Sequence, residues 1–137
     1  MGAWGNGNFD QDGALDFVWR EVQQPLLQKV RSVVEAPFLA EADEPESGPI
    51  VAAVAILALL SEQVNAAPPK PGEVTLWKAT FLKAWDRTAA DVYFRQEDLI
   101  ERRTIIAATF DRLALLAVKF HSTDAEHGVA ADPGGSS

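Results

Sequence analysis

The sequence of 137 residues contains no cysteine and only two histidines. Without cysteine, disulfides, thiolate metal sites and cysteine nucleophiles are excluded together, as is common in cytoplasmic proteins. His121 and His127 both lie near the end of the chain, where we expect them to be solvated. They therefore offer neither a closed zinc site nor a rigidly held base for a serine or threonine nucleophile. We expect no cofactor.

Positive charge is also scarce. Twelve Lys and Arg stand against 20 Asp and Glu, which gives a formal net charge of -8. This charge repels nucleic acid and anionic membranes and favours a basic partner. No basic stretch leads into an apolar one at the start, and the run IVAAVAILALL at residues 50–60 is shorter than the roughly 20 residues of a membrane span. We expect a cytoplasmic protein that binds neither nucleic acid nor membrane.

Alternating apolar and polar residues, the pattern of a half-buried β-strand, occur nowhere over a convincing length. The length suits one domain with one core, and the hydrophobic share is 47%. The sequence therefore predicts an all-α, single-domain bundle of about four to five helices with an ordered Gly/aromatic N-terminal segment. The helical domain spans residues 1–120, and residues 121–137, which lack periodicity and end in small polar residues, are expected to be a disordered tail.

The first predicted helix carries an amphipathic stripe with a spacing of three and four residues. Because Pro25 lacks an amide hydrogen, the helix must kink or restart there, and the stripe keeps its phase, which favours a kink. The predicted stripe consists of Leu15, Val18, Trp19, Val22, Leu26, Val30, Val33 and Val34.

Residues 35–49 contain prolines and carboxylates and predict an acidic, mobile loop. Ser47 is suited to cap the next helix, with Pro49 in its first turn. That second helix, which ends near Asn65, is apolar almost all round and is expected to be the central and most buried element.

Past the proline-rich breaker at residues 65–73, the predicted third helix carries apolar residues over much of its circumference: Leu76, Trp77, Phe81, Leu82 and Trp85. Either both sides of this helix are packed, or one side is a contact surface. Residues 86–94 predict a short helix in which Thr88 and Asp91 form a capping box.

The last helix is predicted from Gln96 to Phe120. Arg102 falls within its stripe, and it should either snorkel or pair with a carboxylate of the opening segment. The stripe consists of Leu99, Ile106, Phe110, Leu113, Leu116, Ala117 and Phe120.

The opening segment combines Gly, Asn and Asp with aromatic residues. Asn8, Asp10, Asp12 and Gly13 mimic the first half of a calcium loop, but the position of the bidentate glutamate falls on Trp19. We therefore favour helix capping by Asp10 or Asp12, with Asp16 near the positive end of the helix dipole. Trp4 and Phe9 are expected to fold back and cover Phe17.

The same letters, MGAWGNGNFDQDGALDF, carry a resemblance. They are similar to the start of a small bacterial family filed as domain of unknown function 4259, whose members begin MGxWGxGxFxNDxALDW or close to it. Gln11 replaces the usual Asn of that pattern. The resemblance implies a small, helical, bacterial protein and brings no activity and no catalytic residue. The matching positions are Trp4, Gly5, Gly7, Phe9, Asp12, Ala14, Leu15, Asp16 and Phe17.

Small size, acidity and the lack of a recognisable active site favour a non-enzymatic protein-binding module. It would be immunity- or antitoxin-like and would neutralise a basic partner. Steering is expected from Glu41, Asp43, Glu44 and Glu46 of the acidic loop. Trp77 or Trp85 is expected to make contact, since buried aromatic residues dominate affinity. A structural subunit that self-associates through an extra apolar helix face is a further possibility.

The alternative is a metal- or ligand-binding bundle with hydrolase activity that uses Asp10, Asp12 and Asp16. It predicts that millimolar magnesium, manganese or calcium raises the melting temperature, because a metal that binds only the native state stabilises it. Thermal unfolding with and without each metal tests this, and an unchanged melting temperature counts against the alternative.

Overall fold

The computed structural model describes residues 7–9 and 12–131, with side chains through residue 122. The described chain is helical and contains no β-strand, which confirms the all-α prediction. Residues 1–6, 10 and 11 lie outside the described part, and with them most of the predicted ordered opening segment. The elements are α1 (Asp12–Phe17), a π-helical turn (Val18–Gln23), α2 (Gln24–Glu35), a 3-10 helix (Pro37–Ala40), α3 (Ser47–Val64), α4 (Pro71–Val92) and α5 (Gln96–Ala131).

Helices α2 to α5 pack as a four-membered bundle. Both α2 and α5 lie next to α3 and α4, so the consecutive helices α3 and α4 occupy diagonal corners. Lys78 pairs with Asp111 and Arg103 pairs with Asp86, so α4 and α5 run antiparallel. The loop at residues 65–70 therefore marks one end of the bundle. The 3-10 helix and the α4–α5 turn lie at the other end.

The core is built from all four helices, with its largest side chains on α4 and α5. The rings of Phe81 and Phe110 pack at 5.5 Å between centroids, and Trp85 packs on Tyr93 at 5.8 Å. Burial of one such side chain contributes about 1.5–3 kcal/mol, so this cluster is the main source of stability. Its fully buried members are Val30, Val33, Ile50, Val54, Leu57, Val74, Trp77, Phe81, Trp85, Ile106, Phe110 and Leu113.

A π-helical turn separates α1 from α2 and changes which residues face the core. The amide of Gln24 donates to the Trp19 carbonyl five residues earlier, and Pro25 then lies in the first turn of α2. The extra residue rotates the following helix by about 100° relative to an uninterrupted α-helix. The buried positions are Val18, Gln23, Leu27, Val30 and Val33, with one spacing of five.

This rotation corrects the predicted first stripe. Trp19 and Val34 are exposed and Leu26 is only partly buried, whereas Leu27 takes the core position. A new α-helix begins here with Pro25 in its first turn. Of the two alternatives, the structure therefore shows a restart, whereas the sequence favoured a kink.

Helix α3 differs from its prediction as the central, most buried element. Its inner side is buried, but Ile56 and Leu59 on its outer side are exposed, because α3 occupies a corner of the bundle. Ser47 does not cap it: the buried hydroxyl donates to the carbonyl of Ala40 at 3.2 Å. Over its 18 residues α3 has a mean hydropathy of 1.6, enough by length and composition to cross a membrane. The core helix of a soluble bundle meets the same criterion.

Helix α4 is one continuous element through Val92, so the predicted short helix at residues 86–94 is wrong. Thr88 lies inside α4, where its hydroxyl accepts a hydrogen bond from the backbone amide of Asp43, and no capping box forms with Asp91.

Helix α5 buries the predicted stripe at Ile106, Phe110, Leu113 and Ala117, which confirms its phase. It continues to Ala131, well past the predicted end at Phe120. Arg102 is half-buried. Of the two alternatives for it, the ion pair with an opening carboxylate is not among its contacts in the described chain.

The side chains of Gln23 and His121 hold the loop between α3 and α4. Asn65 ends α3 with a φ of 58°, a left-handed conformation that Asn tolerates. Gln23, buried in the π turn, donates from Nε2 to the Ala67 carbonyl at 2.9 Å. Nε2 of His121 lies 3.0 Å from the Pro68 carbonyl oxygen, so His121 is held in the fold and is not a solvated tail residue.

Substitution of Leu27 by Ala tests the rotation caused by the π turn. We expect Leu27→Ala to lower the free energy of unfolding by about 2–5 kcal/mol, because the residue is fully packed in the core. Leu26→Ala, the matched control at the next position, should cost clearly less. Urea denaturation measures both, and an equal or larger loss for Leu26→Ala would contradict the observed phase.

Candidate functional site: the acidic end

The carboxylates of residues 35–46 and 91–98 lie at one end of the bundle, here named the acidic end. Together the two segments contain eight Asp or Glu and one basic residue, Arg95. They are neighbours because the first segment contacts the last two turns of α4, directly before the second. The sequence predicts the charge of each segment, but only the fold brings them together.

The predicted acidic loop is folded and anchored. Pro37–Ala40 forms a 3-10 helix. After it, the amide of Glu44 donates to the carbonyl of Glu41, and the amide of Ser47 donates to the carbonyl of Glu44. Glu41 pairs with Arg87 of α4 at 3.7 Å, and Glu46 pairs with Lys29 of α2 at 2.8 Å. The loop is therefore held against two helices by these contacts, whereas its mobility stays a prediction.

Of the four predicted steering residues, Glu41 and Glu46 are thus engaged inside the protein. The side chains of Asp43 and Glu44, and that of Glu35 at the end of α2, form no ion pair among the described residues. Glu35 and Asp43 are exposed and Glu44 is half-buried. These three side chains are the negative charges that the loop leaves available to another molecule.

Most cations of the protein are neutralised by ion pairs. Arg103 forms two hydrogen bonds with Asp86, both at 2.9 Å, which raise the pKa of Arg103. Arg31 likewise holds Glu73 at 2.7 and 3.1 Å, and this raises the pKa of Arg31. The cations in ion pairs are Arg20, Lys29, Arg31, Lys78, Arg87, Arg95, Arg103 and Arg112.

At the start of α5 the carboxylates have a structural role. A hydrogen bond from Arg95 lowers the pKa of Glu97, and Glu97 and Asp98 lie in the first turn, where the helix dipole favours negative charge. The charge available for binding at the acidic end therefore lies mainly in residues 35–44.

Two aromatic residues protrude at the acidic end. Phe94, in the turn between α4 and α5, has 93% of its surface exposed, and Phe38 of the 3-10 helix is also exposed. Sequence reasoning missed both. Phe38 follows a proline in a segment that we interpreted only as an acidic loop. Phe94 lies in a turn, whereas the sequence predicted a helix over residues 86–94.

Trp77 and Trp85, the predicted contact residues, lie in the core instead. Only 1% of Trp77 and 2% of Trp85 is exposed. With Phe81 they form one stripe at a spacing of four residues, so α4 buries one broad face and does not present these aromatic residues as a contact surface. Leu76 alone of its predicted apolar residues is largely exposed. The indole Nε1 of Trp77 is buried without a hydrogen-bond partner.

Of the three opening carboxylates proposed for a metal site, the structure describes Asp12 and Asp16. Among the described residues, no three His, Asp or Glu side chains form a group that could hold a metal ion. Asp16 forms an exposed ion pair with Arg20 at 2.8 Å, and Asp10 lies outside the described part. Phe17 is 55% exposed, so its expected cover by Phe9 is not formed; Trp4 and Gly5 also lie outside the described residues.

Two shallow grooves flank α5. One, of about 280 Å³, lies between α3 and α5 and is lined by Ala55, Ala58, Ile105, Ala108, Thr109 and Arg112. The other, of about 410 Å³, is lined by Ile100, Arg103, Thr104, Ala107, Ala108 and Asp111. Every charged side chain in these linings is engaged in an ion pair, so neither groove presents a free acid or base.

These features define an all-α helical bundle with an anchored acidic end. A model of the family named domain of unknown function 4259 matches residues 2–130. The chain belongs to this family, which confirms the resemblance of the opening letters. The match includes residues 121–130, which the sequence analysis assigned to a tail. No curated protein and no solved structure matches the chain.

Alanine substitutions of one buried and one exposed aromatic residue test these placements. We expect Trp85→Ala to lower the free energy of unfolding by about 3–5 kcal/mol, because it leaves a large cavity in the core. Phe94→Ala should change it by no more than about 0.5 kcal/mol. Guanidinium unfolding measures both, and a large loss for Phe94→Ala would show that this ring is packed.

Proposed function

We propose that this protein is a non-enzymatic protein-binding module of the bacterial cytoplasm that associates with a basic partner through its acidic end. The observation that carries the proposal is the acidic end, where Glu35 of α2 and Asp43 and Glu44 of the anchored loop form no ion pair among the described residues. The ring of Phe38 is exposed in the same segment. An immunity- or antitoxin-like role, in which the module occludes the active surface of a basic protein, fits this arrangement.

Charge and aromatic surface have separate roles in such an interface. Unpaired carboxylates accelerate association through long-range attraction, and their effect weakens as salt screens it. Exposed aromatic rings give affinity when the partner buries them. We therefore propose Phe38 and Phe94 as the contact residues in place of the two tryptophans, which lie in the core. The ordered loop lowers the entropy cost of binding, because its backbone is already fixed by hydrogen bonds.

Two variants of equal net charge test the steering role. The test variant combines Asp43→Asn with Glu44→Gln at the acidic end. The control combines Asp16→Asn with Glu21→Gln on the first helical segment, away from that end. Tagged wild-type and variant proteins are used to capture partners from their own cell lysate at low and high salt, and bound proteins are identified by mass spectrometry.

We expect wild type and control to capture one stoichiometric basic protein at low salt and to lose it at high salt. The acidic-end variant should capture several-fold less of it, because two steering charges are gone. Equal capture by both variants would show that Asp43 and Glu44 at the acidic end do not contribute to binding of the partner. A partner that persists at high salt would contradict an electrostatic interface.

A further inference from the structure

The ring of Phe94 projects from the turn between α4 and α5 with almost no cover. It is 93% exposed, whereas Leu115, the next large apolar side chain in order of exposure among those the structure describes, is 63% exposed. A ring that projects in this way has apolar surface on all its sides. A flat surface would cover only part of it, so a partner that removes the whole ring from water must be concave at this point.

The turn fixes the position of Phe94 although nothing covers its ring. Before it, Tyr93 packs on Trp85 at 5.8 Å between ring centroids. After it, the carbonyl of Arg95 accepts a hydrogen bond from the amide of Asp98 at 3.1 Å in the first turn of α5. Because the residues on both sides are anchored, a partner that buries Phe94 has little backbone order to impose.

The charges on either side of Phe94 are mostly negative. Residues 91–101 contain four carboxylates, and Arg95 is their one cation. Asp91 and Glu101 are exposed and form no ion pair among the described residues, whereas Arg95 is engaged in ion pairs within the turn. A concave surface that receives Phe94 brings its rim against these carboxylates, so the rim that they attract is cationic.

The same charges disfavour two other occupants. A second copy would bring its own acidic turn and a net charge of -8 against this one. An anionic membrane would repel the turn for the same reason. Charge complementarity therefore favours a basic protein, and the projection of the ring favours a pocket in that protein.

We infer that Phe94 inserts into a pocket of the basic partner that has an apolar floor and Lys or Arg side chains at its rim. Asp91 and Glu101 pair with that rim. The insertion rests on the proposed function, because it requires the basic partner, and it adds which part of that partner is occupied. A pocket of this chemistry suits an anionic ligand with an apolar group, so the bound module excludes such a ligand.

Photo-crosslinking with the full chain in its own cells tests the insertion. The photoreactive residue p-benzoylphenylalanine replaces Phe94, Phe38 at the same end, or Phe17. Phe17 is the matched control, since it is a 55% exposed ring on α1, away from the acidic end. We expect position 94 to crosslink to a basic protein, at a peptide that lines a pocket and carries Lys or Arg beside apolar residues. Position 17 should not crosslink to that protein.

Rate constants with the purified crosslinked partner separate insertion from steering. We expect Phe94→Ala to raise the dissociation rate constant by about tenfold or more and to leave the association rate constant nearly unchanged, because the ring acts after encounter. Phe17→Ala should change neither rate constant. Biolayer interferometry measures both, and circular dichroism shows that the variants are folded.

Crosslinks from position 38 but not from position 94 would overturn the insertion and leave the proposed function intact. An unchanged dissociation rate constant for Phe94→Ala would have the same meaning. Absence of crosslinks from both positions would overturn the insertion and the proposed function together. A crosslink from position 94 to a second copy of this chain, or to a convex surface of another protein, would also overturn the insertion.

Discussion

Burial of three aromatic side chains on α4 is the constraint on which the bundle depends. Trp77, Phe81 and Trp85 follow one another at a spacing of four residues on one stripe of the helix, and all are removed from water. A stripe of side chains of this size needs more than one neighbouring element to cover it, and α4 packs against α2, α5 and the 3-10 helix. This position leaves α3 at the diagonal corner, with an outer side that its neighbours do not cover.

The acidic end follows from the same constraint. Because the 3-10 helix packs against α4, the segment that continues from it passes the last turns of α4, where Arg87 and Thr88 contact it. Exposed ion pairs and a single long hydrogen bond contribute little stability individually. Their effect here is positional, since they fix an otherwise polar connection and determine which carboxylates stay available.

The buried face of a helix can be predicted from the sequence where its apolar residues keep a regular period. It cannot be predicted where a local distortion changes that period or where a distant contact fixes the segment. The α5 stripe was predictable because no proline or glycine interrupts it through Phe120. The phase of α2 was not, because a π turn inserts one residue into the pattern and leaves no compositional mark apart from Pro25 after it. The long-range contact of Glu41 with Arg87 has no local signal, and only the fold shows that it anchors the loop.

The same limit explains why aromatic residues were assigned to the wrong surface. A count of apolar residues around a helix cannot distinguish one broad buried face from a core face with a separate contact face, so Trp77 and Trp85 resembled contact residues. With both tryptophans in the core, α4 exposes only Leu76 and Val92 among its large apolar side chains, whereas α3 exposes Ile56 and Leu59 and α5 exposes a larger set: Ile100, Ile105, Leu115 and Val118. The side chains that another molecule can reach therefore depend on which face of each helix the bundle covers, and this cannot be read from the composition of one helix alone.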